Sequence, residues 1–182
     1  ASAPYLFNHC LRSYYWARLL HDVKKCSDDE ALFTACLLHD LGLTEQYRFK
    51  HAQAPCFTQA GVDVEQSLGA KHAWSDKRTN LVANAIALHL NGVFGDEHGK
   101  EAQMLRAGAG ADIVGEGLDA LYADQINAVN TRMPRLDIQH KILEPFAQER
   151  QQCPCCRLAF LQDKMGFLGL MQRAKVHQIK SY

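Results

Sequence analysis

Five polar side chains stand where the hydrophobic pattern would otherwise place apolar ones: His9, His39, Asp40, His89 and Asp112. The most conspicuous are neighbours, in Leu37-Leu38-His39-Asp40-Leu41-Gly42 at the close of an apolar run. Burying an unpaired polar or charged group is costly. Adjacent residues on a helix also diverge by about 100°, so His39 and Asp40 can share one site only where a helix ends. A bound cation would remove the cost, and a helix C-terminus favours positive charge. Imidazoles and carboxylates together make a mixed N/O donor set, which suits one divalent transition metal (Zn, Fe, Mn, Ni or Co) better than Cu(I). Such an ion with an open position lowers the pKa of bound water and supplies a nucleophile near neutral pH.

The elements that must carry these residues all read as helices. Residues 8–21 show Phe7, Cys10, Leu11 and Tyr14 at helical spacing, with Tyr15, Trp16, Leu19 and Leu20 widening the stripe. His9 and Arg12 share one face of that helix, and so apolar a helix is largely buried. Ser27-Asp28-Asp29-Glu30 reads as a capping box with Ser27 as N-cap, opening the helix of Leu32, Ala35, Cys36 and His39 with Gly42 as its stop. Residues 43–61 keep no period and form a long connection before a weakly amphipathic helix at 62–74. Ser75 or Asp76 caps the next helix, whose stripe of Val82, Ala85 and Ile86 ends in His89. Residues 92–100 read as a surface loop and candidate lid. In 101–115 the run Ala107-Gly108-Ala109-Gly110-Ala111 predicts close helix packing, because glycine weakens a helix by about 1 kcal/mol unless contact compensates. Further helices are predicted at 117–130, at 137–152 with Asp137 as cap, and at 158–174. No stretch alternates as a strand does. The expected architecture is all-α, one domain over residues 1–182, with a core at about 8–130 and C-terminal helices at about 137–174.

Totals narrow the function classes. The chain has 182 residues, 47% hydrophobic and 22% charged, with 20 Lys plus Arg against 20 Asp plus Glu. That balance advertises neither nucleic acid nor an anionic membrane as partner, and no run approaches a membrane span or a secretory h-region. Seven cysteines are an odd number in a chain that is not small, so buried free thiols and a cytoplasmic location are expected. Cys153, Cys155 and Cys156 lack a second cysteine pair at zinc spacing and are expected to lie in an inert surface loop. The chain begins at Ala1 rather than methionine, as expected where upstream residues have been removed.

Four local stretches in order carry a resemblance: Asn8-His9-Cys10-Leu11-Arg12-Ser13-Tyr14-Tyr15-Trp16, Leu37-Leu38-His39-Asp40-Leu41-Gly42, Ile86-Ala87-Leu88-His89, and Ala109-Gly110-Ala111-Asp112-Ile113-Val114-Gly115. Together they resemble the HD superfamily of metal-dependent hydrolases, and within it the cyanamide-hydratase-like branch, over residues 8–167. The resemblance implies a helical bundle with one metal held by His9, His39, Asp40 and Asp112. It places His89 beside the metal-bound water as proton donor or substrate orienter, and Arg12 against a polar substrate group; His89, Asp40 and Arg12 are the candidate catalytic residues. In this branch an acidic pattern, Phe-Glu-x-Asp-Gly, usually follows the HD helix. Phe57-Thr58-Gln59-Ala60-Gly61 occupies that place without either acid, which turns the expectation away from cyanamide itself. His51, His72, His98, His140 and His177 are expected on the surface.

The function expected is hydrolysis or hydration of a small molecule with an electrophilic carbon, nitrile-like or amidine-like. The alternative is an HD-type phosphohydrolase on a nucleotide or phosphate monoester, for which Arg12, Lys50 and Lys71 are the candidate cations. Partners expected are a small-molecule substrate, no nucleic acid and no membrane, with self-association into a homo-oligomer compatible with both readings.

Overall fold

A computed structural model describes residues 3–21, 26, 28–48, 56–92 and 95–178. Among them every regular element is helical: α1 (Pro4–Leu20), α2 (Asp29–Leu38), α3 (Thr58–Lys71), α4 (Asp76–Leu88), α5 (Lys100–Val114), α6 (Ala123–Arg132), α7 (Ile138–Lys141), α8 (Leu143–Gln152), α9 (Arg157–Lys164) and α10 (Phe167–Arg173). The expected all-α single domain is what the chain forms.

The bundle is organised around α1 and α5, which run against each other along their length, with α2 and α4 closing one side and α3 backing α4. Gly108 is the reason the two central helices can approach: a Cβ there would collide with the Ser13 carbonyl and press on Ala17. The small-residue run in α5 therefore serves packing, as its composition predicted. Ala17, Leu32, Ala35, Cys36, Val82, Ile86 and Leu105 fill the interior between these helices. A second apolar cluster joins Leu6, Phe57 and Ile113 to Ile138, Ile142, Phe146, Leu158 and Met171, so α7–α10 fold back over one end of the bundle.

Several boundaries differ from the sequence reading. α1 starts earlier, at Pro4, a residue suited to a first helical turn. The N-cap of α2 is Asp28, whose carboxylate accepts from the Ala31 N–H at 3.0 Å, while Ser27 lies outside the described residues. Arg78 also holds Asp28, Nε to Oδ2 at 2.7 Å, which ties the start of α2 to α4. α3 begins at Thr58 rather than 62. The predicted helix 117–130 divides into a 3₁₀ turn, Leu118–Ala120, and α6. The predicted helix 137–152 breaks at Ile142, and Asp137 heads it in a left-handed conformation without a side-chain cap. The predicted helix 158–174 breaks at Gly166, φ 62°, where the chain turns so that α10 can reach α5. Amphipathic period alone cannot show such breaks, because both halves bury the same face. No helix among the described residues is long and apolar enough to cross a membrane.

Candidate metal centre

His39 and His89 reach the centre in the same way. Each is the C-cap of its helix, α2 and α4, and each turns its Nδ1 onto a last-turn carbonyl: Cys36 O at 2.8 Å and Ile86 O at 2.7 Å. A carbonyl oxygen only accepts, so Nδ1 carries the hydrogen in both rings and Nε2 presents a lone pair. Asp40 follows His39 directly, and the 3₁₀ turn Leu41–Leu43 bends the chain so that its carboxylate returns to the same point. Gly42 permits that bend by lying against the backbone of Phe57, where a Cβ would clash.

From α1, His9 aims Nε2 at the same space, 3.2 Å from His39 Nε2 and 3.3 Å from Asp40 Oδ2. His39 Nε2 is 3.5 Å and His89 Nε2 3.7 Å from Asp40 Oδ1. The donor atoms of His9, His39 and Asp40 all lie within 4.8 Å of one another, and all three residues are buried. Burial and the neighbouring imidazole His9 keep His39 neutral, and burial with the nearby His39 pushes His89 down to about 3. Burial opposes ionisation of Asp40, yet His39, His9 and His89 hold its carboxyl below the usual range. Lone pairs and carboxylate oxygens thus converge in a buried space at the carboxyl ends of α2 and α4. An acceptor-rich knot of this kind fits a divalent cation.

Asp112 stands behind His9, apart from that knot. Its Oδ2 is 2.7 Å from His9 Nδ1 and 2.8 Å from Arg12 Nη2. Its Oδ1 accepts from Arg12 Nε at 2.7 Å, Trp16 Nε1 at 2.9 Å and Arg135 Nη1 at 2.9 Å. Burial would raise its pKa, but Arg12, Arg135 and His9 hold the carboxyl well below its ordinary value. The pair Asp112–His9 has the form of a carboxylate that fixes a metal-binding imidazole through its far nitrogen. For His9 itself burial opposes the charge, and the hydrogen bonds to Asp112 and Asp40 outweigh it, so its pKa rises.

Arg12, expected against a polar substrate group, is turned toward Asp112 and does not line the cavity beside the knot. It is fully buried, its Nε and Nη2 grip Asp112, and Nη1 donates to the carbonyls of Met133 at 3.0 Å and Pro134 at 3.1 Å. A buried guanidinium needs a carboxylate, and Asp112 is the one within reach. Arg135, 6% exposed, completes the same cluster and was not distinguished in the sequence.

The knot opens on a cavity of about 210 Å³. His9, His39, Asp40 and His89 form its polar floor, while Ile113, Phe146, Leu161, Met165 and Phe167 form apolar walls. Phe57 closes one side, its ring 5.9 Å from that of His89. Arg106 and Glu116 stand at the wall as an ion pair, 2.8 Å apart; neither was singled out in the sequence. Asn91 and Gly92 line the cavity, so the expected lid segment does border the site; its residues 93–94 lie outside the described residues. Lys71 is exposed at the end of α3, away from the cavity, and Lys50 and His51 lie outside the described residues. His72 and His140 are exposed as expected, whereas His98 is half-buried and bonded to Gly95.

The HD domain family matches residues 6–166. The chain belongs to that family, and so to a superfamily of metal-dependent hydrolases whose domains bind divalent metals. Comparison with curated proteins returns no match.

Proposed function

We propose that the protein uses a metal-activated water to hydrolyse or hydrate a small, uncharged molecule at an electrophilic carbon, nitrile-like or amidine-like, in the manner of the cyanamide-hydratase-like branch. The observation that carries this reading is the cavity wall. Among the described residues its one lysine or arginine is Arg106, already ion-paired with Glu116, and the remaining lining is largely apolar. A phosphate monoester carries near two negative charges at neutral pH and needs clamping cations at the reacting group. A compact neutral substrate needs only shape and a few hydrogen bonds.

His9 and His39 through Nε2, with the Asp40 carboxylate, would hold the ion. When bound, it lowers the pKa of a coordinated water toward neutrality and polarises the substrate. Asp112 is the positioning residue for His9: its carboxylate takes the Nδ1 hydrogen and leaves Nε2 as the donor atom. His89 is the catalytic proton acceptor and donor. Its Nδ1 is committed to Ile86 O, its Nε2 faces Asp40 from 3.7 Å, and its depressed pKa keeps that nitrogen free of a proton before reaction. Phe57 and the walls from α8 to α10 exclude bulk water, which strengthens each electrostatic contact within. Thr58 and Ala60, standing where the branch has acids, add no carboxylate to the cavity, consistent with a substrate other than cyanamide.

Metal-loaded protein should be assayed against nitriles, amidines, amides and phosphate monoesters. Turnover confined to the carbon electrophiles, and abolished by His89→Gln without loss of metal, is the expected result. Turnover confined to phosphate monoesters would overturn the reading.

A further inference from the structure

Of the three cysteines expected in an inert surface loop, Cys155 is exposed, whereas Cys156 is buried and belongs to a second cluster. Cys156 is the N-cap of α9 and only 3% exposed; its Sγ accepts from the Ala159 N–H at 3.5 Å. Cys56, a hundred positions earlier, stands two residues before the start of α3. Its Sγ lies within 4.8 Å of Cys156 Sγ. Glu149, on α8 and 3% exposed, accepts from the Phe57 N–H at 2.7 Å. Cys153 is the C-cap of α8, its backbone N–H donating to the Glu149 carbonyl at 2.8 Å. One donor atom from each of Cys56, Glu149 and Cys156 can be chosen so that all three lie within 4.8 Å of one another.

From this geometry we infer that Cys56, Cys156 and Glu149, with Cys153 as the nearest fourth donor, form a second cation site selective for a thiolate-preferring ion of the zinc class. Two sulfurs and a carboxylate converging on one point match the tetrahedral donor sets of structural zinc, which combine thiolates with a harder ligand. The site differs in kind from the N/O knot at His39, so the two sort ions by softness. Cys156 is the N-cap of α9 and Cys56 stands one residue before the N-cap of α3, positions where N–H groups and the helix dipole favour a thiolate, while the Cys56 thiol and burial push the Cys156 thiol up. A solvent-open groove lined by Cys56, Cys155 and Cys156 gives the ion a route in.

The consequence reaches the cavity. The ion would tie the chain just before Phe57 to α8 and α9, which carry Phe146 and Leu161 of the cavity wall. Phe57 is already held on that side through Glu149 and on the other through Gly42. The second site therefore staples the wall of the first without joining its chemistry.

The test is titration of the metal-depleted, reduced full-length chain with Co²⁺. Thiolate-to-cobalt charge-transfer absorption reports the second site alone, because His9, His39 and Asp40 contain no sulfur. The expected result is that absorption in the unmodified chain and in Cys155→Ser, and its loss in Cys56→Ser and in Cys156→Ser, with helix content by circular dichroism and cobalt at the histidine site both retained. Peptide mapping after alkylation needs no variant: Cys56 should label in the metal-free chain and be protected in the zinc-loaded one. Absence of charge-transfer absorption in the unmodified chain would overturn the inference, as would its survival in both Cys56→Ser and Cys156→Ser. Isolation of the protein with a Cys56–Cys156 disulfide in place of bound metal would overturn it too.

Discussion

Replacing Asp112 with asparagine tests how the buried charges are arranged. The carboxylate is fully buried and receives both arms of Arg12 at 2.7 and 2.8 Å, Arg135 and Trp16 at 2.9 Å, and His9 at 2.7 Å. Asparagine keeps the shape but turns one acceptor into a donor amid donors, and leaves two guanidinium groups in the interior without their counter-charge. Breaking a buried pair from one side costs about 3–5 kcal/mol, a large part of the roughly 5–15 kcal/mol that holds a domain folded. Urea unfolding with a chelator present should show that loss for Asp112→Asn in the metal-free chain. The native carboxyl is held below its unfolded value, so its contribution is complete above the unfolded pKa and is lost as pH falls through the folded one. The gap between wild type and Asp112→Asn should therefore close below about pH 4. Metal affinity, measured by chelator competition, should fall about 10–100-fold because the carboxylate acts through His9. A stability loss under about 1 kcal/mol would refute the network. Metal binding abolished as fully as by removing His39 would refute the positioning role and make Asp112 a direct ligand.

Other variants probe separate parts of the structure. Glu65 is fully buried and, among the described residues, neither of its oxygens has a hydrogen-bond partner; burial lifts its pKa to about 7. With the folded pKa raised, stability is full below about pH 4.5 and is lost as pH rises through 7. Glu65→Gln should accordingly match wild type in thermal unfolding at pH 4.5 and exceed it by roughly 1–2 kcal/mol at pH 8. Gly108→Val should force α1 from α5 and destabilise by about 1–3 kcal/mol in urea unfolding. Arg106→Gln should leave turnover of a neutral substrate within about threefold, whereas a phosphate substrate would lose most of its turnover.

Much of this was legible in the chain because polar residues on apolar helical faces are expensive and therefore informative. His9, His39, Asp40, His89 and Asp112 stood out for that reason, and the structure brings the first four to one cavity floor with Asp112 one layer behind His9. The order of contact within the group was not legible. Spacing shows that Asp112 and Arg12 are buried on facing helices, but not that they bind each other and stand one layer behind His9. Arg135 was hidden because it lies between α6 and α7, on no apolar helical face that would mark it as buried. The cysteine cluster was hidden for a different reason: Cys156 gains its neighbours Cys56 and Glu149 across a fold that brings the chain before α3 against α8 and α9. Helix breaks at Ile142 and Gly166 were equally invisible, since apolar period persists through them.

The central claim is that His9, His39 and Asp40 hold one divalent metal. Elemental analysis of the purified chain beside His39→Ala tests it most directly. The account predicts that the variant, with helix content unchanged by circular dichroism, carries one transition-metal ion fewer per chain than wild type. Equal metal content in the two folded proteins would contradict it.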